Sequence, residues 1–270
     1  MICDGCPVIN LAHFILLSFA PLALEFLADV KKNRGGPIQL SNPTVIHSSL
    51  TAIWGIRLVV FLLWREYVSW PALHSKVVEL QSKMDTPYLS KVLCWLVYSF
   101  LYVAMMTPCW SRLEQNCNGG CWGIIGYIGL TLQVVGLLLE TVADWQKSSF
   151  KQQYLNRHAW CHVGVWEWST HPNYLGEGMF WWGTYLAHGF GYSFWHTLLA
   201  TIGLIFITLV LKGSTKSLTR KHLEKYGDQP EFCAFHQSHH IWGPKKGSAF
   251  NTATIGSNGD NSTGKGTSWL

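Results

Sequence analysis

Charge is what this sequence has least of. Asp, Glu, Lys and Arg make up 13% of its 270 residues, about half the ~25% of a soluble globular chain. Too few ionisable side chains remain to solvate an ordinary surface, which argues against one or two soluble domains. A disulfide framework is missing as well. The eight cysteines are scattered, with Cys94 and Cys109 within or at the edge of an apolar run, so no small oxidised scaffold is encoded. Cys117 and Cys121 make either a local pair of thiols or a disulfide, and the thiols are favoured. Cys3 and Cys6 form a lone Cys-x-x-Cys without a βαβ context. The net charge of +5 is not gathered on one basic face, and nucleic acid is excluded as a partner. Cys233, His236, His239 and His240 have metal-like spacing, but one such set without a partner reads as a polar surface run, and no metal is expected.

What the sequence has in quantity is apolar length. Hydrophobic residues make up 49%, with fifteen Trp and ten Tyr of the kind that gather at bilayer interfaces. A bilayer core about 30 Å thick takes roughly 20 apolar residues per helical span. Six runs qualify: Leu11–Val30, Val45–Trp64, Val92–Trp110, Cys121–Ala143, Tyr174–Phe190 and Phe194–Leu211. The expected fold is therefore all-α, a multipass transmembrane helical bundle of about six spans. It occupies residues 1–246, and the Gly-, Ser-, Thr- and Asn-rich stretch 247–270 reads as a disordered tail. The first run has no basic n-region and no small-residue cleavage site, and it contains Glu25 and Asp29, so it reads as a retained span. The fifth is short and Gly-rich, consistent with a tilted or partly re-entrant segment. Seven basic residues in the second and fourth loops and eight after Leu211 lie on one side, against four on the other. The positive-inside rule then puts both termini in the cytosol.

Ionisable residues inside an apolar span cost roughly 2.5–3.5 kcal/mol each at a helix centre on insertion scales, so those that persist are site candidates. Arg57 sits in the second run, where it serves either as a snorkelling or packing cation or as part of a site. Glu140 and Asp144 close the fourth run four residues apart, on one helical face. Asn173 and Glu177 repeat that spacing at the start of the fifth, where Pro172 suits a first helical turn and Gly176 allows close approach. Lys147, Lys151, Arg157 and His171 surround these pairs with donors suited to phosphate. A mouth lined in this way suits an anionic cofactor, and its apolar depth suits a lipid.

Two motifs carry a resemblance. The first is Asp144-Trp145-Gln146-Lys147-Ser148-Ser149-Phe150. The second is Ser169-Thr170-His171-Pro172-Asn173-Tyr174-Leu175-Gly176-Glu177, followed by Trp181-Trp182-Gly183. Together they resemble the steroid 5α-reductase C-terminal superfamily, most closely its uncharacterised membrane-protein branch, over roughly residues 54–244, with a reductase-like C-terminal half at about 121–246. The resemblance implies a membrane enzyme that uses NADPH to reduce a carbon–carbon double bond conjugated to a ketone. On the same ground the cofactor is expected at Glu140, Asp144, Gln146, Lys147, Lys151, Asn173 and Tyr174, with Glu177 and His171 as catalytic residues. The substrate would be a small apolar lipid or sterol-like enone drawn from the bilayer, and the compartment the endoplasmic reticulum. The chain departs from the pattern at Thr170, where the family has Arg before His-Pro. It departs again at Leu218, where a downstream Glu is usual. Two other readings compete: an S-adenosylmethionine-dependent methyltransferase of the isoprenylcysteine type, which also carries His-Pro near Gly, and a non-catalytic lipid-binding relative.

Overall fold

A computed structural model describes residues 43–69, 79, 88–114, 122–153, 158–189 and 193–245. Seven α-helices make up nearly all of it. Helix α1 is Pro43–Trp64 and runs on into a π-helical turn, Arg65–Ser69. Helices α2 (Tyr88–Glu114), α3 (Ile124–Gln152), α4 (Val165–Trp168), α5 (Pro172–His188), α6 (Phe194–Tyr226) and α7 (Pro230–Ser238) follow. A two-stranded antiparallel hairpin, β1 (His239–His240) and β2 (Gly243–Pro244), closes the described chain.

Among the described residues three helices, α1, α3 and α6, are long and apolar enough to cross a membrane. Only 28–39% of their apolar stretches are buried inside the protein, so most of that surface turns outward. The other three expected runs are not established as spans. The run Leu11–Val30 lies outside the described residues, as do Cys3, Cys6, Cys117, Cys121, Arg157 and the tail at 247–270. Val92–Trp110 falls within α2, a 27-residue helix with Pro108 inside it. Tyr174–Phe190 becomes α5, which has 17 residues, about 26 Å, and packs along α3.

That packing is built on glycine. A Cβ added to Gly136 of α3 would sit 2.5 Å from the Phe180 backbone nitrogen, and one on Gly129 would sit 2.4 Å from that of Ala187. Gly176 and Gly183 of α5 face back onto the Glu140 and Gln133 backbones at 2.6 Å. Glycines spaced by seven on both helices let the two backbones touch, the small-residue packing that replaces hydrophobic association in lipid. Gly203 of α6 does the same against Ala104 and Met105 of α2.

The interior inverts the soluble arrangement. Ile, Leu, Val and Trp side chains crowd the outside, whereas His47, Thr51, Gln133 and Thr184 are fully buried. At one end of the bundle these four and Cys109 form a closed knot. His47 Nδ1 bonds Gln133 Oε1 at 2.8 Å, and Gln133 Nε2 donates to Thr51 and Thr184 at 3.1 Å each. With the Gln133 amide so oriented, His47 carries its proton on Nδ1. Its Nε2 then accepts from the Cys109 thiol at 3.2 Å. Arg112 is buried nearby, donates to the Ala187 carbonyl at 2.9 Å and lies 4.5 Å over the Trp122 ring. A cation there suits the C-terminal carbonyls of α5. An aromatic plug, Trp54 stacked on Phe180 at 5.6 Å and edge-on to Trp181 at 4.7 Å, separates this knot from the other end.

If glycine contact holds α3 to α5, then G136A and G183A each lower stability by about 1–3 kcal/mol, the usual cost of overpacking. G213A, where a Cβ meets nothing within 4 Å, leaves it unchanged or raises it by up to ~1 kcal/mol. Thermal unfolding of the three purified variants in one detergent checks this ordering, and equal melting temperatures would contradict it.

Candidate functional site

The other polar cluster is built around one cation. Arg57 lies on α1 three residues after Trp54, and both side chains point at α3. Arg57 Nη2 pairs with Glu140 Oε1, and Nη1 donates to Asp144 Oδ2 at 3.1 Å. Trp54 Nε1 donates to the second Glu140 oxygen at 3.0 Å, and Asn173 Nδ2 of α5 reaches the second Asp144 oxygen at 3.4 Å. Every carboxylate oxygen of the pair is thus engaged, and three helices are tied at one point. The side chains of Arg57, Glu140 and Asp144 are 14%, 5% and 13% exposed, so this pairing operates with little solvent screening. Asn173 Oδ1 is buried and has no hydrogen-bond partner among the described residues. Glu177, one turn along α5, stands within electrostatic reach of Asp144, Arg57 and Tyr102.

Beyond Asp144 the same face of α3 opens on a cavity of about 60 Å³, room for roughly four water molecules. Lys147, Lys151, His171, His222 and His236 line it together with Cys161, Thr170, Thr219, Tyr226 and four aromatic or indole rings. No carboxylate among the described residues does. His171 is 3% exposed and its Nδ1 meets the Thr170 hydroxyl at 3.2 Å; its Nε2 is buried without a partner. Its ring stacks on His222 at 5.8 Å. Burial, and secondarily the neighbouring His222 and Lys147, lower the His171 pKa from 6.5 to about 3, so the ring is neutral at physiological pH. Burial lowers His236 too, and it raises the Cys161 thiol despite Lys147 and Lys151 nearby. The set is one of donors and neutral imidazoles, suited to an anion.

The structure divides the expected residues into groups. Glu140, Asp144, Asn173 and Glu177 share the Arg57 cluster, and Lys147, Lys151 and His171 share the cavity, with Tyr174 between them, its ring edge-on to His171 with centroids 6.0 Å apart. His171 and Glu177 are not brought together: His171 lines the cavity and Glu177 does not. Gln146 does a local task. Its Oε1 accepts from the Val165 amide at 3.0 Å, and it fills the space beside Gly164, whose φ of 57° and lack of a Cβ the turn requires. Lys151 also donates to the Ala159 carbonyl and, at 3.2 Å, to the Tyr226 hydroxyl, which fastens the loop before α4. Cys233 bonds the Gly227 carbonyl at 3.1 Å and His239 stacks on Phe235 at 4.3 Å. Among the described residues no group of three or more potential ligands could hold a metal.

Sequence reasoning weighed Arg57 but left it out of the site, where it is the centre. It missed Trp54, Arg65 of the π-helical turn, which acts electrostatically on both Asp144 and Lys147, and His222. The signal for Arg57 was its mid-span position. His222 carried none, because it joins the cavity only through the length of α6.

Arg57→Leu leaves two buried carboxylates without their cation and should cost about 3–5 kcal/mol, whereas R57L/E140L/D144L should cost clearly less. Thermal unfolding of both in detergent tests this, and a triple variant as damaged as the single would sink it. For His171 the unfolded chain binds more protons between pH 6.5 and about 3. Its contribution to stability is therefore complete above 6.5 and is lost as pH falls. Between about pH 7.5 and about pH 5 the wild type should lose more stability than H171Q; parallel curves would refute the assignment.

No curated protein and no solved structure matches the chain. A family model does, over residues 24–239, which takes in both polar clusters and the cavity. The chain belongs to DUF1295, a family of proteins of unknown function that is known as steroid 5α-reductase-like.

Proposed function

We infer that the protein is a membrane-embedded, NADPH-dependent reductase of a conjugated carbon–carbon double bond in an apolar lipid or sterol-like enone. The observation that carries this reading is the adjacency of the two groups. A carboxylate–arginine–asparagine cluster inside an apolar bundle leads directly into a cavity lined by lysine and imidazole and by no described carboxylate.

The residues fit the cofactor's chemistry. Lys147, Lys151, His222 and His236 would hold its phosphates, and the unpartnered His171 Nε2 and Asn173 Oδ1 offer hydrogen-bonding capacity that a buried ligand would use. Asp144 and Asn173 suit hydroxyl or amide groups. When bound, the cofactor supplies hydride to the β-carbon of the enone. Glu177 polarises the ketone oxygen and passes it a proton, and the enol so formed loses that proton as the α-carbon gains one, giving the saturated ketone, in a bundle where Trp54, Phe180 and Trp181 pack as a buried apolar cluster. Arg57 holds Glu140 and Asp144 in place and balances their charge. The two termini are assigned to the cytosol and the compartment to the endoplasmic reticulum, on the distribution of Lys and Arg and on the lipid substrate.

NADPH, NADH and S-adenosylmethionine tested side by side separate the readings. A ligand at ~100 times its dissociation constant adds about 2.7 kcal/mol of stability. NADPH should raise the melting temperature of the wild type, and N173A and E177A should fold but lose that shift. A shift with S-adenosylmethionine alone would make the protein a methyltransferase, and no shift with any of the three would leave a non-catalytic lipid-binding relative.

A further inference from the structure

Helix α6 is longer than its apolar part. Its 33 residues reach about 50 Å, but the apolar run ends at Leu211. The remaining 15 residues, Lys212 to Tyr226, project roughly 22 Å beyond it on the side where the cavity lies. The inner face of this extension is committed: Thr219, His222 and Tyr226 line the cavity. The outer face presents Lys212, Lys216, Arg220, Lys221 and Lys225, all exposed, against one carboxylate, Glu224. Among the described residues the one ion pair on this stretch joins Arg220 to Glu224 at 3.8 Å, with both side chains about 70% exposed, and such a pair is worth little.

Position selects the partner. Exposed Trp145, Trp168 and Trp242 mark the same end of the bundle, as interface tryptophans do. From Trp145 to exposed Tyr127 at the other end of α3 is about 27 Å along the helix, close to the thickness of a bilayer core. Leu211 packs beside Gly178 of α5, and Thr219 and His222 share the cavity with Lys147. The extension therefore climbs from the hydrocarbon at Lys212 to the headgroup level by Arg220, with the long Lys212 and Lys216 side chains snorkelling toward it. Lys216 and Arg220 follow at i+4 and i+8 on one stripe, within about 12 Å of the apolar end. That is the range over which an anionic leaflet attracts basic side chains, given a Debye length of about 8 Å. Lys221 and Lys225 lie round the helix and farther out.

We propose that the outward stripe Lys212, Lys216 and Arg220 binds anionic lipid headgroups, drawing a negatively charged lipid to the base of α6 beside the cavity. Native mass spectrometry of the purified full chain with an equimolar mixture of phosphatidylserine and phosphatidylcholine of matched acyl chains tests it. Phosphatidylserine should be retained about tenfold over phosphatidylcholine at low salt, and the preference should collapse in high salt. K212Q/K216Q/R220Q should bring it to parity, K221Q/K225Q should keep most of it, and K212R/K216R/R220K should keep all of it. Should the triple glutamine variant fail to fold, K216Q alone decides, with an expected loss of roughly two- to fivefold. Parity in the wild type, or a preference indifferent to these substitutions, overturns the proposal. So does parity for lipids combined with capture of soluble polyglutamate through the same three residues, which would assign the stripe to an acidic protein.

Discussion

A guanidinium held between two carboxylates, away from water, is the constraint that organises this molecule. Desolvating three charges is costly, and the geometry offsets it only because each carboxylate oxygen of Glu140 and Asp144 has a donor. The donors come from different helices: Arg57 and Trp54 from α1, Asn173 from α5. The cluster thus fixes the rotation of α1 and α5 about α3 together, since turning any of the three would strand a charge in an apolar setting. The glycine contacts supply the proximity it needs. With Gly136 and Gly176 touching backbone to backbone beside Glu140, α5 approaches closely enough for Asn173 to reach Asp144.

The bundle holds two polar clusters, and comparing them separates architecture from site. In the knot around Gln133 the polar atoms answer one another: His47, Thr51, Cys109 and Thr184 close the network by hydrogen bonds. Such a network specifies register and nothing more is required of it. The cluster at the other end is incomplete. Asn173 Oδ1 and His171 Nε2 are buried without partners among the described residues, and the latter borders a cavity. A polar atom left unpaired in a dry interior costs roughly 1–3 kcal/mol, a cost that a ligand in the cavity would relieve. The Trp54–Phe180–Trp181 plug keeps the two regions distinct.

Much of this was legible in the sequence, and the failures have identifiable causes. Apolar run length located α1, α3 and α6, because a helix that faces lipid must be apolar almost all round. Tyr174–Phe190 became α5, shorter than these at 17 residues, and much of its apolar surface packs on α3 rather than facing outward. Spacing by four placed Glu140 with Asp144 and Asn173 with Glu177, since helical periodicity survives into the fold. What spacing cannot supply is the partner across helices. Nothing local to Arg57 says that Glu140 and Asp144 are its counter-ions 83 and 87 residues on, and nothing local to His222 says that it stacks on His171. Gln146 shows the converse: a residue inside a motif whose side chain is occupied in holding the turn at Gly164.

The two departures from the reductase pattern acquire a physical meaning in this setting. Where the resemblance leads to an expected arginine, Thr170 places a hydroxyl that touches His171 at 3.2 Å and lines the cavity, so this position offers a hydrogen bond but no charge. Charge reaches the cavity from elsewhere. Lys147 lies 4.6 Å over the Trp166 ring, which holds its ammonium against the cavity wall, and Lys151 stands one turn along the same helix. The region around Leu218 contributes through Thr219, His222 and Tyr226, which are brought inward by the continuation of α6 beyond its apolar part. An anion bound here would therefore depend on α3 and α6 rather than on the segment before Pro172. Such a shift keeps the electrostatic sign of the cavity while moving the groups that set it, which is why the substitution at Thr170 alone does not argue against an anionic cofactor.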